Sequence, residues 1–142
     1  MAIDLGDVRT GLAVGDDITN VVSPAGVIET PLGAADGAEL LGALARAADE
    51  HLGPGEGELV LGLPINMDGT EGPRVALTRA FGERIAQTLD RPVHHQDERS
   101  TTDGAHARMA RTGLTHKQKK RRRDALAASI ILERFLHDRS NP

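Results

Sequence analysis

The sequence lacks cysteine, tryptophan and tyrosine, and its only aromatic residues besides histidine are Phe81 and Phe135. Without cysteine there are no disulfides, no thiolate metal ligands and no cysteine nucleophile, which suits a cytoplasmic protein. Stacking platforms for unpaired bases need several aromatic faces, so a nucleic acid has to be held by charge and shape. No apolar run approaches the roughly 20 residues of a membrane-spanning helix, and Met1–Asp4 does not resemble a signal peptide.

Positive charge is in the minority, but much of it is concentrated in one segment. The 142 residues include 17 Lys and Arg against 21 Asp and Glu, for a net charge of −4. The segment 117–123, called the basic segment below, contains Lys117, Lys119, Lys120, Arg121, Arg122 and Arg123. Such a segment on an acidic protein either binds phosphates or is a solvated surface, and composition alone leaves both possibilities open.

The pattern of apolar residues predicts a single α/β domain over residues 1–142. Strands are expected at Ala2–Leu5, at Gly11–Gly15, within Val21–Glu29, at Leu59–Leu63 and at Pro92–Gln96. Helices are expected at Ala35–Leu52, around Leu77–Leu89, from about Thr101 to Gly113 and from about Asp124 to His137. The opening meander favours antiparallel pairing, and the alternating second half favours parallel pairing. We therefore expect a mixed five-stranded sheet with helices on both faces.

Three carboxylates occupy positions that need an explanation. Asp4 lies inside an apolar strand, where carboxylates are depleted. Glu98 follows the strand Pro92–Gln96, and sites in open α/β sheets form beyond the carboxyl ends of parallel strands. Asp124 is expected at the start of the last helix, at the end of its buried row of side chains.

If these three carboxylates converge, their mutual repulsion calls for a cation. Oxygen ligands without His or Cys suit Mg²⁺ or Mn²⁺. Two such ions about 4 Å apart can activate water and stabilise the leaving oxygen of a phosphodiester. The alternatives are local ones, in which Asp124 only caps a helix and Glu98 only pairs with Arg99 or with a neighbouring lysine.

Four segments resemble, in order, the motifs of one protein family. The segments Asp4–Val14, Gly62–Gly69, Asp97–Thr102 and Asp124–Leu132 are similar to its motifs D-x-G-x-x-R-x-G-x-A-x, G-x-P-x-N-x-x-G, D-E-R-x-T-T and D-x-x-A-A. The chain thus resembles the YqgF family of Holliday-junction-resolvase-like proteins, which are also described as pre-16S rRNA nucleases. This resemblance spans nearly the whole chain.

The resemblance implies an RNase H-like fold with a metal-dependent nuclease site, whose acidic residues fall on Asp4, Glu98 and Asp124. It implies maturation of the 5′ end of pre-16S rRNA in the bacterial cytoplasm, or cleavage of four-way DNA junctions. Two features depart from the family. Ser100 stands where a bulkier apolar residue is usual, and Asp4 lies unusually close to the first residue, so the first strand is expected to be short.

Nucleic-acid contacts are expected beside these acids. Arg9 and Arg99 have guanidinium groups that suit phosphates, although each also suits a structural ion pair. The basic segment directly precedes Asp124, which favours phosphate binding next to the catalytic edge.

Two other interpretations of the sequence stay open at this point. One is a non-catalytic nucleic-acid-binding or ribosome-maturation factor. The other is an actin-like ATPase with a phosphate loop at Asp4–Gly11, although 142 residues do not provide that superfamily's two domains. The choice between RNA and DNA and that between monomer and homodimer also stay open, because a junction resolvase needs a symmetric dimer whereas an RNA-trimming enzyme does not.

Overall fold

The computed structural model describes residues 1–99 and 115–142. In chain order the elements are β1 (Ala2–Asp4), β2 (Thr10–Gly15), β3 (Val22–Ile28), a 3₁₀ turn (Ala34–Gly37), α1 (Ala38–Leu52), β4 (Leu59–Leu63), α2 (Pro73–Leu89), β5 (Val93–Asp97) and α3 (His116–Ser140). None of the helices in these two ranges is long and apolar enough to cross a membrane. The predicted helix from Thr101 to Gly113 lies outside the described residues, as do Ser100, Thr101 and Thr102 of the third motif.

The five strands form one mixed sheet in the order β3-β2-β1-β4-β5. β2 pairs antiparallel with both β1 and β3, whereas β4 pairs parallel with both β1 and β5. The predicted mixed five-stranded sheet is therefore confirmed. The carboxyl ends of β1, β4 and β5 open on the same side of the sheet, which we call the carboxyl edge.

Side chains that alternate along the central strands fill two separate cores. Leu59 and Leu61 of β4 belong to a core that also contains Leu44 of α1 and Phe81 of α2. Val60, between them, packs on the opposite face with residues of α3. The predicted placement of helices on both faces is thus confirmed.

The last helix begins earlier than its apolar pattern predicts. It starts at His116 instead of near Asp124, because Thr115 and Gln118 form a capping box. The Thr115 hydroxyl accepts a hydrogen bond from the Gln118 backbone N–H at 3.3 Å, and the Gln118 side chain accepts one from the Thr115 N–H at 2.9 Å. The basic segment is consequently helical. Asp124 lies eight residues after the first helical residue, which excludes a helix-capping role for it.

Two smaller corrections concern the first two helices. Ala35 and Asp36 have positive φ angles of 50° and 55°, so the predicted helix Ala35–Leu52 is α-helical only from Ala38 onward. The second helix begins at Pro73, one turn before Leu77, the residue with which its apolar spacing begins, and Leu77 is 44% exposed. Phe81, one turn further on, is buried in the core instead.

Candidate active site

Asp4 and Glu98 meet at the carboxyl edge, although β4 lies between the strands that carry them. Asp4 ends β1 and Glu98 follows β5. Their side chains are joined by a hydrogen bond. The backbone N–H of Glu98 donates to the Leu63 carbonyl at 3.1 Å, so the pairing between β4 and β5 extends to Glu98 and fixes its backbone.

Gly62 of β4 makes room for this contact. A Cβ at position 62 would lie 2.5 Å from Glu98 Oε2 and 2.6 Å from Ile131 Cδ1. A residue with a side chain would therefore force the Glu98 carboxylate or α3 to move. Gly62 belongs to the second sequence motif, but this role was not predicted from the sequence. A glycine that interrupts the apolar run Leu59–Leu63 is the signal that could have revealed it, since such glycines often mark a close approach.

Burial of this pair disfavours two negative charges. It raises the pKa of Asp4 to about 6, an effect that the hydrogen bond from Glu98 opposes and the charge of Asp124 reinforces. It also raises the pKa of Glu98 to about 8, and the charge on Asp4 adds to that shift. A hydrogen bond between two carboxyl groups needs one proton. At neutral pH the pair therefore shares a proton that resides mainly on Glu98.

Asp124 reaches this edge from α3, which approaches β2 very closely. A Cβ at Gly11 would lie 2.1 Å from the Asp124 carbonyl oxygen, so the helix can sit there only because residue 11 has no side chain. The Asp124 carboxylate accepts a hydrogen bond from Arg9 Nε at 2.8 Å. Its charge is near enough to Asp4 to raise the pKa of Asp4.

The three predicted acids therefore lie at one edge but are engaged in two separate contacts. Asp4 and Glu98 bind each other, whereas Asp124 binds Arg9. Within residues 1–99 and 115–142, no group of three or more His, Cys, Asp or Glu side chains is arranged to hold a metal ion as the side chains stand. The donor chemistry nevertheless fits a hard divalent cation, because all the candidate ligand atoms are carboxylate oxygens and the Asp4–Glu98 pair shares a proton that a cation could replace.

Arg99 and Arg74 complete the charge distribution at this edge. Arg99 Nε donates to Asp97 Oδ2 at 2.7 Å, so its ionic partner is Asp97, while Glu98 is bound to Asp4. Arg74, in the first turn of α2, was not predicted from the sequence to belong to the site. Its guanidinium donates to the Leu5 carbonyl at 3.1 Å and pairs with Asp7, and its charge lowers the pKa values of Asp4 and Glu98.

The basic segment forms about two turns of α3 and runs directly into Asp124. Most of its side chains are exposed, whereas Lys119 and Arg123 are partly buried. Arg121 Nε lies 3.4 Å from Glu29 Oε1, at the end of β3. With a rise of 1.5 Å per residue, Lys117 is about 10 Å along the helix axis from Asp124. One rigid helix therefore carries both the cations and one of the three acids.

Residues 1–138 match the profile of the RuvX family, which is described as Holliday junction resolvase. This chain belongs to the RuvX family. A relative from Anaeromyxobacter sp. (strain K) is 38% identical to this chain over 140 residues, which cover 99% of this chain and 97% of the relative. Another from Paramagnetospirillum magneticum is 35% identical, with 99% and 86% covered. A third from Rickettsia bellii is 29% identical, with 96% and 84% covered. All three are named "Putative pre-16S rRNA nuclease".

Family membership confirms two predictions. The RuvX family is RNase H-like, in agreement with the mixed sheet and its flanking helices. The family description and the names of the relatives agree on a nuclease, so the chain is an enzyme that hydrolyses nucleic acid. The roles of individual site residues stay predictions.

Proposed function

We propose that this chain is a divalent-metal-dependent nuclease that matures the 5′ end of pre-16S rRNA in the cytoplasm, with residues 1–142 as one nuclease domain. The observation that carries the proposal is the contact between Asp4 and Glu98 across Gly62. Two carboxyl groups held together at the carboxyl edge of a sheet are costly for folding, and their cost is understandable as part of a cation site. The names of the relatives support pre-16S rRNA as the substrate.

The three acids have the central role in the proposed mechanism. Asp4, Glu98 and Asp124 would hold Mg²⁺ or Mn²⁺, which when bound supplies an activated water and offsets the charge of the phosphate. Gly62 and Gly11 allow the close approaches that bring these acids to one edge. Arg74 reduces the repulsion between Asp4 and Glu98.

The remaining proposed residues bind the nucleic-acid backbone. Guanidinium groups and lysines close in sequence or in space to the three acids would contact phosphates that flank the cleaved bond. Because α3 carries both the basic segment and Asp124, backbone binding positions the substrate against the acids. The phosphate-binding set consists of Arg9, Arg99, Lys117, Lys119, Lys120, Arg121, Arg122 and Arg123.

A four-way DNA junction is the second candidate substrate, and the description of the RuvX family favours it. Symmetric resolution of a junction needs two active sites, and therefore a homodimer. Trimming of an RNA end needs only a monomer. The mass of the protein alone and with each substrate, measured by sedimentation, separates these two modes of action.

Cleavage of a labelled pre-16S 5′-leader RNA and of a labelled four-way junction tests the proposal. We expect the wild-type protein to cut the RNA with Mg²⁺ or Mn²⁺ and not with EDTA. The Glu98→Gln variant should lose at least about 100-fold in rate, because it removes a proposed ligand. Glu50→Gln, which alters an exposed carboxylate on α1, should cut at the wild-type rate.

Three other results of the cleavage assay would each change one part of the proposal. Preferential cutting of the junction would replace the RNA with DNA as the substrate. Cutting that persists in EDTA would contradict the metal dependence. A folded protein that binds RNA but cuts neither substrate would contradict the proposed catalysis and support a binding factor.

A further inference from the structure

Arg9 forms an ion pair with a carboxylate oxygen of Asp124, which is a cation ligand in the proposed function. Its Nε atom lies 2.8 Å from Asp124 Oδ2, and the two side chains are only 24% and 26% exposed. Arg9 directly precedes β2, and the backbone of Asp124 packs closely against Gly11 of that strand. The ion pair is therefore fixed by the packing of α3 on β2, and it is not a chance contact of two long exposed side chains.

Two further arginines at this edge have different partners. Arg74 pairs with Asp7 and donates to the Leu5 carbonyl, and Arg99 pairs with Asp97. Arg9, by contrast, forms a short ion pair with one of the three acids, Asp124. A divalent cation that binds Asp124 must compete with Arg9 for Oδ2.

We propose that Arg9 is a positioning residue that exchanges partners: it holds Asp124 and releases it to a divalent cation, after which its guanidinium binds a phosphate of the substrate. This inference rests on the proposed function, since it takes Asp124 as a cation ligand. A doubly charged cation attracts a carboxylate more strongly than a guanidinium does. A planar guanidinium, in turn, suits a phosphate because two of its N–H groups can donate to it at once.

The first test is calorimetric titration of Mn²⁺ into the protein without nucleic acid. Arg9→Gln removes the competitor, so we expect the Kd for Mn²⁺ to fall about fivefold. The matched control is Arg79→Gln, because Arg79 makes an ion pair of 3.1 Å with Glu71, which is not one of the three acids. That variant should bind Mn²⁺ like the wild type. An unchanged or higher Kd in Arg9→Gln would overturn the inference.

A double-mutant cycle separates competition for Asp124 from the general removal of positive charge. In an Asp124→Asn background, Arg9 no longer holds a carboxylate that a cation needs. The effect of Arg9→Gln on the Kd for Mn²⁺ should therefore fall below about twofold. The same fivefold effect in both backgrounds would mean that Arg9 acts only through its long-range charge, and the exchange would be wrong.

The second half of the exchange is tested by binding of a phosphorothioate RNA that resists hydrolysis. With Mn²⁺ present, Arg9→Gln should weaken RNA binding about threefold, because the released guanidinium contacts a phosphate. With EDTA present, Arg9 is held by Asp124, so the variant and the wild type should bind alike. An equal loss of RNA binding in both conditions would overturn the exchange.

Arg9→Lys is the second variant, because lysine keeps the positive charge but loses the planar guanidinium. It should change the affinities for Mn²⁺ and for RNA in the same directions as Arg9→Gln, by smaller factors. Circular dichroism checks that each variant folds.

These measurements need no turnover, so the inference and the proposed function fail separately. If the wild type shows metal-dependent cleavage but Arg9→Gln binds Mn²⁺ with unchanged affinity, the exchange is wrong and the proposed function stands. The predicted shift in Mn²⁺ affinity, found in a protein that cuts no nucleic acid, would support the exchange and contradict the proposed catalysis.

Discussion

At the scale of single residues, two glycines determine where the acids lie. Gly62→Ala tests this directly, because its Cβ would meet Glu98 Oε2 and Ile131 Cδ1, both at the ends of flexible side chains. We expect the protein to fold, with a loss of about 1–3 kcal/mol in the free energy of unfolding from overpacking. Displacement of Glu98 from Asp4 should lower the cleavage rate about 10- to 100-fold.

The control for this substitution is Gly33→Ala. An added Cβ at position 33 has no heavy atom within 4 Å, and Gly33 has an ordinary helical φ of −79°. Its rate and its denaturation midpoint should match the wild type. A Gly62→Ala protein that cleaves at the wild-type rate would show that the position of Glu98 above β4 does not matter for the reaction.

At the scale of elements, the sheet was predictable and the start of α3 was not. Alternation of large and small side chains indicates β2, and a fully apolar run indicates β4. Both strands pack on both faces, with the small side chains of β2 turned toward α3. The basic segment carries no such signal, and like charges spaced four residues apart disfavour a helix. Thr115 and Gln118 have the spacing of a capping box, but the charged residues that follow them do not show the apolar periodicity of a helix.

Since the basic segment is helical and next to Asp124, replacing its exposed cations should weaken nucleic-acid binding specifically. We predict that the triple variant Lys117→Gln, Lys120→Gln and Arg122→Gln reduces the slope of log affinity for single-stranded RNA against log salt by about 2, because three phosphate contacts are lost. The comparison is a triple Gln variant on the other face of the sheet, at Arg46, Arg79 and Arg84. Binding titrations at several salt concentrations measure both slopes, and equal slopes would indicate general charge attraction with no contribution from the position of the segment.

At the scale of the whole molecule, topology made it possible that Asp4, Glu98 and Asp124 converge at one edge, and the sequence left that question open. The carboxyl ends of parallel strands share an edge, and the apolar row of the last helix turns Asp124 toward the sheet. The contacts within the site could not be predicted in the same way. The pairing of Asp124 with Arg9 and the position of Arg74 depend on strand register and on how α3 crosses β2, which sequence spacing does not specify.

The same arrangement makes the stability of the whole molecule depend on pH in a defined direction. The pKa of Asp4 is raised to about 6 and that of Glu98 to about 8. The folded state therefore binds protons more tightly than the unfolded chain, whose carboxyl groups titrate near pH 4. The contribution of this pair to stability is fully present below pH 4 and is lost as the pH rises through 6 and 8.

Glu98→Gln tests this dependence, because Gln keeps a hydrogen-bond donor for Asp4 and has no charge to lose. In EDTA, we expect the variant to be more stable than the wild type by about 2 kcal/mol at pH 9, after allowance for partial solvent screening, and by little at pH 4. Urea denaturation of both proteins at pH 4, 7 and 9 measures the difference, in which shared groups such as the Met1 ammonium cancel. The variant that abolishes the proposed reaction should thus be the more stable protein, as expected when catalysis requires a buried charge that folding alone disfavours. A wild type as stable as Glu98→Gln at pH 9 would mean that the carboxyl pair is not strained, and the main physical argument for a cation at this edge would fail.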